Sequence, residues 1–312
     1  MLDVRRMRVL REVAAQGSFS AAAEALAYTQ SAVSQQIAAL EREAGTRLVD
    51  RSARGVTLTD AGRALVVHAD AILARLDDAE AELDAIAGLR GGRLRITAFA
   101  TAGATIVPKA IVEFRRRHPG VELMLGPEEP DDGLAALRAG AADVALTLST
   151  TFEPPADQDA VERVHLLDDP MYLMLAADHP LAARSRVRLA DLAEEEWILG
   201  STGRCPDTRI LVHACRQAGF EPRIGFHSDD YLAIQGLVAA GFGVSFIPDL
   251  ALIAVRDDVV IRSLGRRPPQ RRIEAATLAG SWASPAKEAM LAVLVEVAAE
   301  FETKRAELSL AS

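Results

Sequence analysis

The sequence predicts a two-part chain: an N-terminal winged helix-turn-helix, a long linker helix, and an α/β body. Three observations carry that expectation. Residues 17–40 pattern as two short helices around a tight turn. Residues 58–86 carry an apolar stripe close to heptad spacing. From residue 93 onward strand and helix patterns alternate, which implies α/β architecture with a largely parallel sheet.

At 312 residues the chain is too long for one small core, so two or three domains are expected. Half the residues are apolar and a quarter charged, an ordinary globular composition. The net charge of -9 argues mildly against nucleic acid, but a DNA reader's footprint is local. Residues 1–62 hold eight arginines and seven acids, so they are net +1 while the other 250 residues are net -10. Two cysteines rule out a disulfide scaffold. No apolar run approaches the ~18 residues a membrane span needs. The stretch from Met1 to Arg6 leads into an amphipathic helix without a signal-peptide core, so a cytoplasmic location is expected. Abundant arginine and alanine with scarce lysine point to a GC-rich bacterial genome.

In the first part, Met7, Leu10, Val13 and Ala14 recur at helical spacing, and Gly17 ends that helix. Ser20 is the expected N-cap of a second helix that buries Ala22, Ala25 and Leu26. Thr29 caps a third, whose inward stripe is Val33, Ile37 and Leu40. Gln30, Ser31, Ser34 and Gln35 then face outward, and their short or planar side chains suit reading base edges. A solvated helix face is the bland alternative for each. Residues 45–58 read as two short strands turning at Arg54-Gly55, a wing with Arg51 and Arg54 placed for phosphates.

Thr59 starts the long helix. Its apolar positions are Leu58, Ala61, Leu65, Ala69, Ile72, Leu76, Ala79, Leu83 and Ile86, a near-heptad seam. About 28 residues make a rod of roughly 40 Å. Pairing with a second copy, through Leu65, Ala69, Ile72, Leu76 and Leu83, is favoured over packing on the same chain. Gly88 and Gly91-Gly92 then form a hinge over 88–92. Beyond it, strands are expected at 93–99, 121–125, 144–148, 171–177, 244–247 and 273–278. Helices are expected at 103–117, 134–139, 206–218, 233–240 and 285–305.

Residues 1–87 resemble the LysR-type transcriptional regulators. The resemblance is carried by Phe19-Ser20-Ala21-Ala22-Ala23-Glu24-Ala25-Leu26, Thr29 to Ile37, Leu40-Glu41, Gly45-Thr46-Arg47-Leu48 and Leu58-Thr59-Asp60-Ala61-Gly62. It extends through Arg117-His118-Pro119-Gly120-Val121, Asp178-His179-Pro180-Leu181 and Leu237 to Val244. Many members have a basic residue near 35 or 36, where this chain has Gln35-Gln36.

The resemblance implies an organisation: a winged helix-turn-helix at 1–58, a dimerisation helix at 59–87 and an effector domain at 93–304, with a tail at 305–312. That effector domain would be periplasmic-binding-protein-like, with lobe I at 93–165 and 270–304 and lobe II at 166–269. The crossovers would lie near 166–172 and 266–273. The implied partners are double-stranded DNA carrying an imperfect inverted repeat, a small-molecule effector, a second copy in a homodimer or homotetramer, and RNA polymerase. No cofactor is implied.

Candidate DNA contacts are Thr29, Gln30, Ser31, Ser34, Gln35, Arg51 and Arg54. Candidate effector contacts follow strand ends: Thr101, Ala102, Glu128, Thr147, Ser149, Ser201, Thr202 and Asp229. Free N–H groups after Phe99 would attract an anion, whereas Glu128 and Asp229 argue against assuming one. Simple helix capping is the rival role for each Ser and Thr.

Cys205 and Cys215 lie where peroxide-sensing members of the family carry a redox pair, but at a spacing of ten, one longer. A redox-sensing regulator is therefore the alternative reading. The histidines show no metal spacing. Residues 241–245 lack the serine of a nucleophile elbow and the third glycine of a dinucleotide loop, so an enzyme reading has no catalytic set behind it. A receptor or enzyme without DNA binding would leave residues 1–87 unexplained.

Overall fold

The computed structural model describes residues 1–52, 55–86, 92–150, 152, 160–184, 186–200, 206–265, 267–280 and 284–311; side chains at 51–52, 77–78, 81–82, 84–86 and 306–311 lie outside that description. Helix α1, Val4–Gln16, begins at Asp3, whose carboxylate accepts the N–H groups of Arg5 and Arg6. It ends at Gly17, where a φ of 62° turns the chain left-handed.

Helix α2, Phe19–Ala25, is capped by Ser18, two residues before the expected Ser20. Phe19, Ala22 and Ala23 pack inward and Ala25 faces solvent. Ala27 makes the tight turn at a φ of 53°. Helix α3, Gln30–Ala44, starts at Thr29, whose hydroxyl accepts the Ala32 N–H at 3.2 Å. Val33, Ile37 and Leu40 join Met7, Leu10 and Val13 in one core, as the spacing predicts.

Strands β1, Val49–Ser52, and β2, Gly55–Leu58, pair antiparallel to form the wing. Glu41 fixes its entry by accepting the N–H groups of Leu48 and Val49. The Val56 N–H donates to the Gly17 carbonyl, which ties the wing to the turn between α1 and α2.

Helix α4, Asp60–Ile86, is capped by Thr59, whose hydroxyl accepts the Gly62 N–H. Gly62 is required there, because a Cβ would lie 2.0 Å from the Leu48 carbonyl oxygen. The seam of α4 divides in two. Leu58, Ala61 and Leu65 pack against the winged-helix core, and Ala69 is fully buried in it. Ile72, Leu76 and Leu83 stay 39, 43 and 66% exposed. The expectation that Ala69 faces a second copy is therefore corrected, since its own domain covers it.

The second part holds β3, Gly92–Ala98; α5, Ala100–Arg117; β4, Val121–Pro127; α6, Pro130–Arg138; and β5, Val144–Thr150. Then come β6, Val161–Ala176; β7, Glu196–Leu199; α7, Pro206–Gln217; β8, Arg223–His227; and α8, Tyr231–Ala239. Strands β9, Ser245–Pro248, β10, Val259–Arg262, and β11, Gln270–Leu278, precede α9, Pro285–Ala311. The closing helix thus continues through the segment expected to be a tail.

The sheet is mixed, not largely parallel. Strand β3 runs parallel to β4 and β5, but β11 returns antiparallel between β5 and β6. The cause is the double crossing of the chain. Strand β6 pairs with β11 up to Pro170, then with β9 from Met171. Its far half also pairs with β10. Strands β7 and β8 are parallel, and Trp197 of β7 bridges to Val244, the residue just before β9. Separate apolar cores follow, one around Ile106, Phe114, Leu294 and Ile273, the other around Leu173, Trp197, Leu211 and Phe246.

Candidate DNA-reading face and interlobe cleft

On α3, Gln30, Ser31 and Gln35 are exposed and Ser34 is half-buried. They form one patch because positions three or four apart share a helix face. Thr29 is exposed beside them, but its hydroxyl is engaged with Ala32 and lies 3.0 Å from the Ser31 hydroxyl. The two adjacent glutamines separate. Gln35 points outward, while the Gln36 side-chain carbonyl accepts the Arg6 Nε–H at 3.2 Å. Arg6 also pairs with Glu43, so α1 and α3 are pinned together behind the reading face. Arg51 sits in β1 opposite Val56; Arg54 lies outside the described residues.

A cavity of about 70 Å³ lies where the two lobes meet. Its lobe I wall comes from the β3–α5 junction (Phe99, Ala100 and Thr101), from Glu129 and Pro130 at the start of α6, and from Leu148 of β5. Its lobe II wall comes from Ile198 to Gly200, the first turn of α7, Ser228, Asp229 and Tyr231, and Phe246.

The floor of the cavity is a buried ionic network. Arg271 of β11, 2% exposed, donates from Nε to Asp169 at 2.8 Å and from Nη1 to Asp207 at 3.0 Å. Its Nη2 donates to the Thr101 hydroxyl at 2.7 Å. Asp169 also accepts the Leu250 N–H, and Asp207 accepts the Tyr231 hydroxyl at 2.5 Å. Burial works against the charge on Arg271, but Asp207 and Asp169 outweigh it and hold the guanidinium protonated. Burial pushes the Asp169 carboxyl up, and the adjoining guanidinium opposes that shift. The Phe99 ring covers the Arg271 guanidinium at 5.4 Å.

Of the sequence-derived effector residues, Thr101 and Asp229 line this cavity. Four do not. Ala102 is fully buried in the lobe I core, one helical step round from Thr101. Thr147 and Ser149 lie on the other face of β5, because successive strand side chains alternate and Leu148 takes the cavity side. Glu128 is exposed outside the cavity, and its neighbour Glu129 lines it instead. Ser201, Thr202 and Cys205 fall outside the described residues.

Sequence reasoning missed Arg271, Asp207, Asp169, Tyr231 and Glu129. Arg271 is the first of two adjacent arginines, Arg271-Arg272, just upstream of the strand expected at 273–278, and nothing local separates it from its neighbour.

Cys215 is fully buried in the lobe II core. Burial, and then Glu221, push its thiol up to about 12. That surrounding suppresses the thiolate that peroxide chemistry needs. Among the described residues no group of His, Cys, Asp and Glu could hold a metal ion. No described helix is long and apolar enough to cross a membrane.

An outward polar recognition helix joined to a two-lobed cleft defines a ligand-responsive DNA-binding regulator. Residues 4–63 match the bacterial regulatory helix-turn-helix protein, lysR family, and residues 87–299 match the LysR substrate binding domain. The chain belongs to the LysR family of transcriptional regulators, and it is a DNA-binding regulator rather than an enzyme.

It is 32% identical over 301 residues to the probable HTH-type transcriptional regulator LrrA of Synechococcus elongatus, covering 96% of this chain and 98% of that one. It is 34% identical over 274 residues to a probable hydrogen peroxide-inducible genes activator of Mycobacterium avium, covering 86 and 85%. Its fold is similar to that of full-length CbnR, a structure solved with its target DNA. The TM-score is 0.70 at 24% identity, over 95% of this chain and all of that one.

Proposed function

We propose that this protein acts in the cytoplasm as a homodimer or homotetramer on an imperfect inverted repeat. Gln30, Ser31, Ser34 and Gln35 read bases in the major groove, and Arg51 and Arg54 hold phosphates. The exposed seam of Ile72, Leu76 and Leu83 pairs with a second copy. A small molecule in the interlobe cleft favours one lobe closure and so changes the action on transcription, by its differential affinity for the two states.

The observation that carries this reading is the position of the cavity. Thr101 from one lobe and Asp207 from the other meet one guanidinium at its floor, and the Tyr231 hydroxyl donates to that same Asp207. A ligand there touches both lobes and the strands that join them.

Selection from random duplexes with the full-length protein tests the DNA half. Enrichment of an inverted repeat is expected, and recovery of unrelated sequences contradicts it. Filling the cleft with Leu148→Trp tests the other half. It should fix the transcriptional response in one state while leaving the enriched site unchanged.

A further inference from the structure

We infer that Tyr28 is a DNA contact of this protein, its hydroxyl donating to a backbone phosphate at the rim of the groove that α3 enters. The inference rests on the reading of α3 as the recognition helix, and it adds a residue that holds the helix in register.

The corner between α2 and α3 places this side chain. Two bonds close the end of α2. The Ala27 N–H donates to the Glu24 carbonyl at 3.2 Å, and the Tyr28 N–H to the Ala23 carbonyl at 2.8 Å. That pairing needs a left-handed residue at position 27, a place usually filled by glycine. Ala27 takes it at a φ of 53°, the one non-glycine residue with positive φ among the described residues. Thr29, next along the chain, is already the cap of α3. The backbone of Tyr28 is therefore fixed from both sides, by the end of one helix and the start of the other.

Residues 27–31 are all exposed, so Tyr28 is continuous with Gln30 and Ser31 of the reading face. It keeps 52% of its surface in solvent, and no described residue hydrogen-bonds its hydroxyl. The Thr29 hydroxyl beside it is engaged with Ala32 and lies against Ser31. A large apolar residue just before a helix cap commonly packs on the fourth residue of that helix, here the buried Val33. That role needs the ring alone and leaves the hydroxyl without a purpose.

The dimensions of the duplex supply one. An α-helix with its side chains is about 10–12 Å across and the major groove about 12 Å wide, so a recognition helix fills the groove. The first-turn side chains of the helix meet base edges. A side chain on the turn just outside the helix meets the groove wall instead, and that wall is phosphate. Tyrosine donates to such an oxygen without carrying charge, and contacts of this kind fix register without reading sequence. The bond is charge-assisted, because its acceptor is ionised.

A neutral donor displaces no counterion, which gives it a signature that the arginines do not share. Tyr28→Phe in the full-length protein removes the oxygen and keeps the ring. Affinity for the duplex that selection enriches should fall about tenfold or more. The fall should be the same for single-base variants of that site, with the salt slope and the unfolding temperature unchanged. Duplexes carrying one methylphosphonate at a time locate the contact. The parent should lose affinity at a linkage in each half-site where Tyr28→Phe loses none further. The inference is overturned if Tyr28→Phe binds as tightly as the parent, if its loss is confined to one base pair, if its salt slope falls, or if no linkage shows that difference. A lowered unfolding temperature in Tyr28→Phe would make the hydroxyl a structural group and overturn it equally. Gln35→Ala separates the two levels of failure. If it shifts base preference while Tyr28→Phe changes nothing, the Tyr28 contact alone falls. If neither change affects binding, the reading of α3 itself falls.

Discussion

Nη1 of Arg271 lies 3.0 Å from Oδ2 of Asp207, so a residue of the second crossover strand holds the first turn of α7. The same guanidinium reaches Asp169 on the first crossover strand and Thr101 in lobe I. One side chain therefore joins both lobes to both connections between them. A closing movement that carried α7 away from β11 would break a buried ion pair. The first turn of α7 is thus the part of lobe II expected to move least.

Arg271→Met follows directly from that geometry. It leaves the fully buried Asp169 without its cation, and such a loss costs about 3–5 kcal/mol. Urea unfolding measures it. The double change Arg271→Met with Asp169→Asn should recover part of the loss, because the unpaired charge is then gone. Additive single effects would show that the two residues do not act as a pair.

The divided seam of α4 gives a second contrast. Leu76→Glu places a charge on a side chain that solvent already reaches. It should split the dimer in sedimentation while leaving the unfolding temperature of the winged helix nearly unchanged. Ala69→Glu buries a carboxylate in that core and should unfold it. Retained dimers in Leu76→Glu would move the interface away from this stripe.

On the DNA side, the different settings of Gln35 and Gln36 separate reading from support. Gln35→Ala should relax preference at one base pair, by about 1–3 kcal/mol, and leave protein stability alone. Gln36→Ala removes a partner of Arg6 and should act mainly on stability. Arg51→Ala should weaken all sequences alike and reduce the salt slope by about one. Filter binding across a salt series reads all three.

What the sequence made legible was local. Thr29, Gly17 and the 33–37–40 stripe are read from a few adjacent residues, and the structure places them as that pattern requires. The polar first half of β6, with Glu162, Arg163, His165 and Asp168, hid a strand, because crossover strands need no apolar run. Strands β7, β8 and β10, four or five residues long, fell below what periodicity can resolve. The cleft was legible only to within one residue. A shift of one position along β5 swaps faces, so the polar Thr147 and Ser149 turn away from the cavity and Leu148 lines it. The network at Arg271 joins residues 64 to 170 positions apart, and no local pattern specifies it.

Cys215 supplies a chemical prediction. With its thiol pushed up to about 12 inside an apolar core, it should resist alkylation in the native protein and react fully in urea. Mass spectrometry after iodoacetamide treatment reads this. Cys215→Ser should leave any response to peroxide unaltered. Rapid native alkylation would restore the redox alternative.

Glu129 connects the electrostatics of the cleft to stability. Burial, then Asp229, Asp207 and Asp132, raise its carboxyl pKa above the ordinary 4.5, and Arg271 only partly offsets them. A raised carboxyl binds its proton more tightly in the folded protein than in the unfolded chain. Below the ordinary value both states are protonated, and the acid costs nothing. As pH rises through the raised folded value, the ionised form is increasingly disfavoured in the cleft and stability falls. Glu129→Gln removes that charge at every pH. It should therefore unfold at a higher temperature than the parent at pH 7, with the gap closing as pH falls toward the ordinary carboxyl value. Calorimetry across that range decides the matter. Equal unfolding temperatures at pH 7 would mean that the carboxylates of the two lobes do not oppose one another.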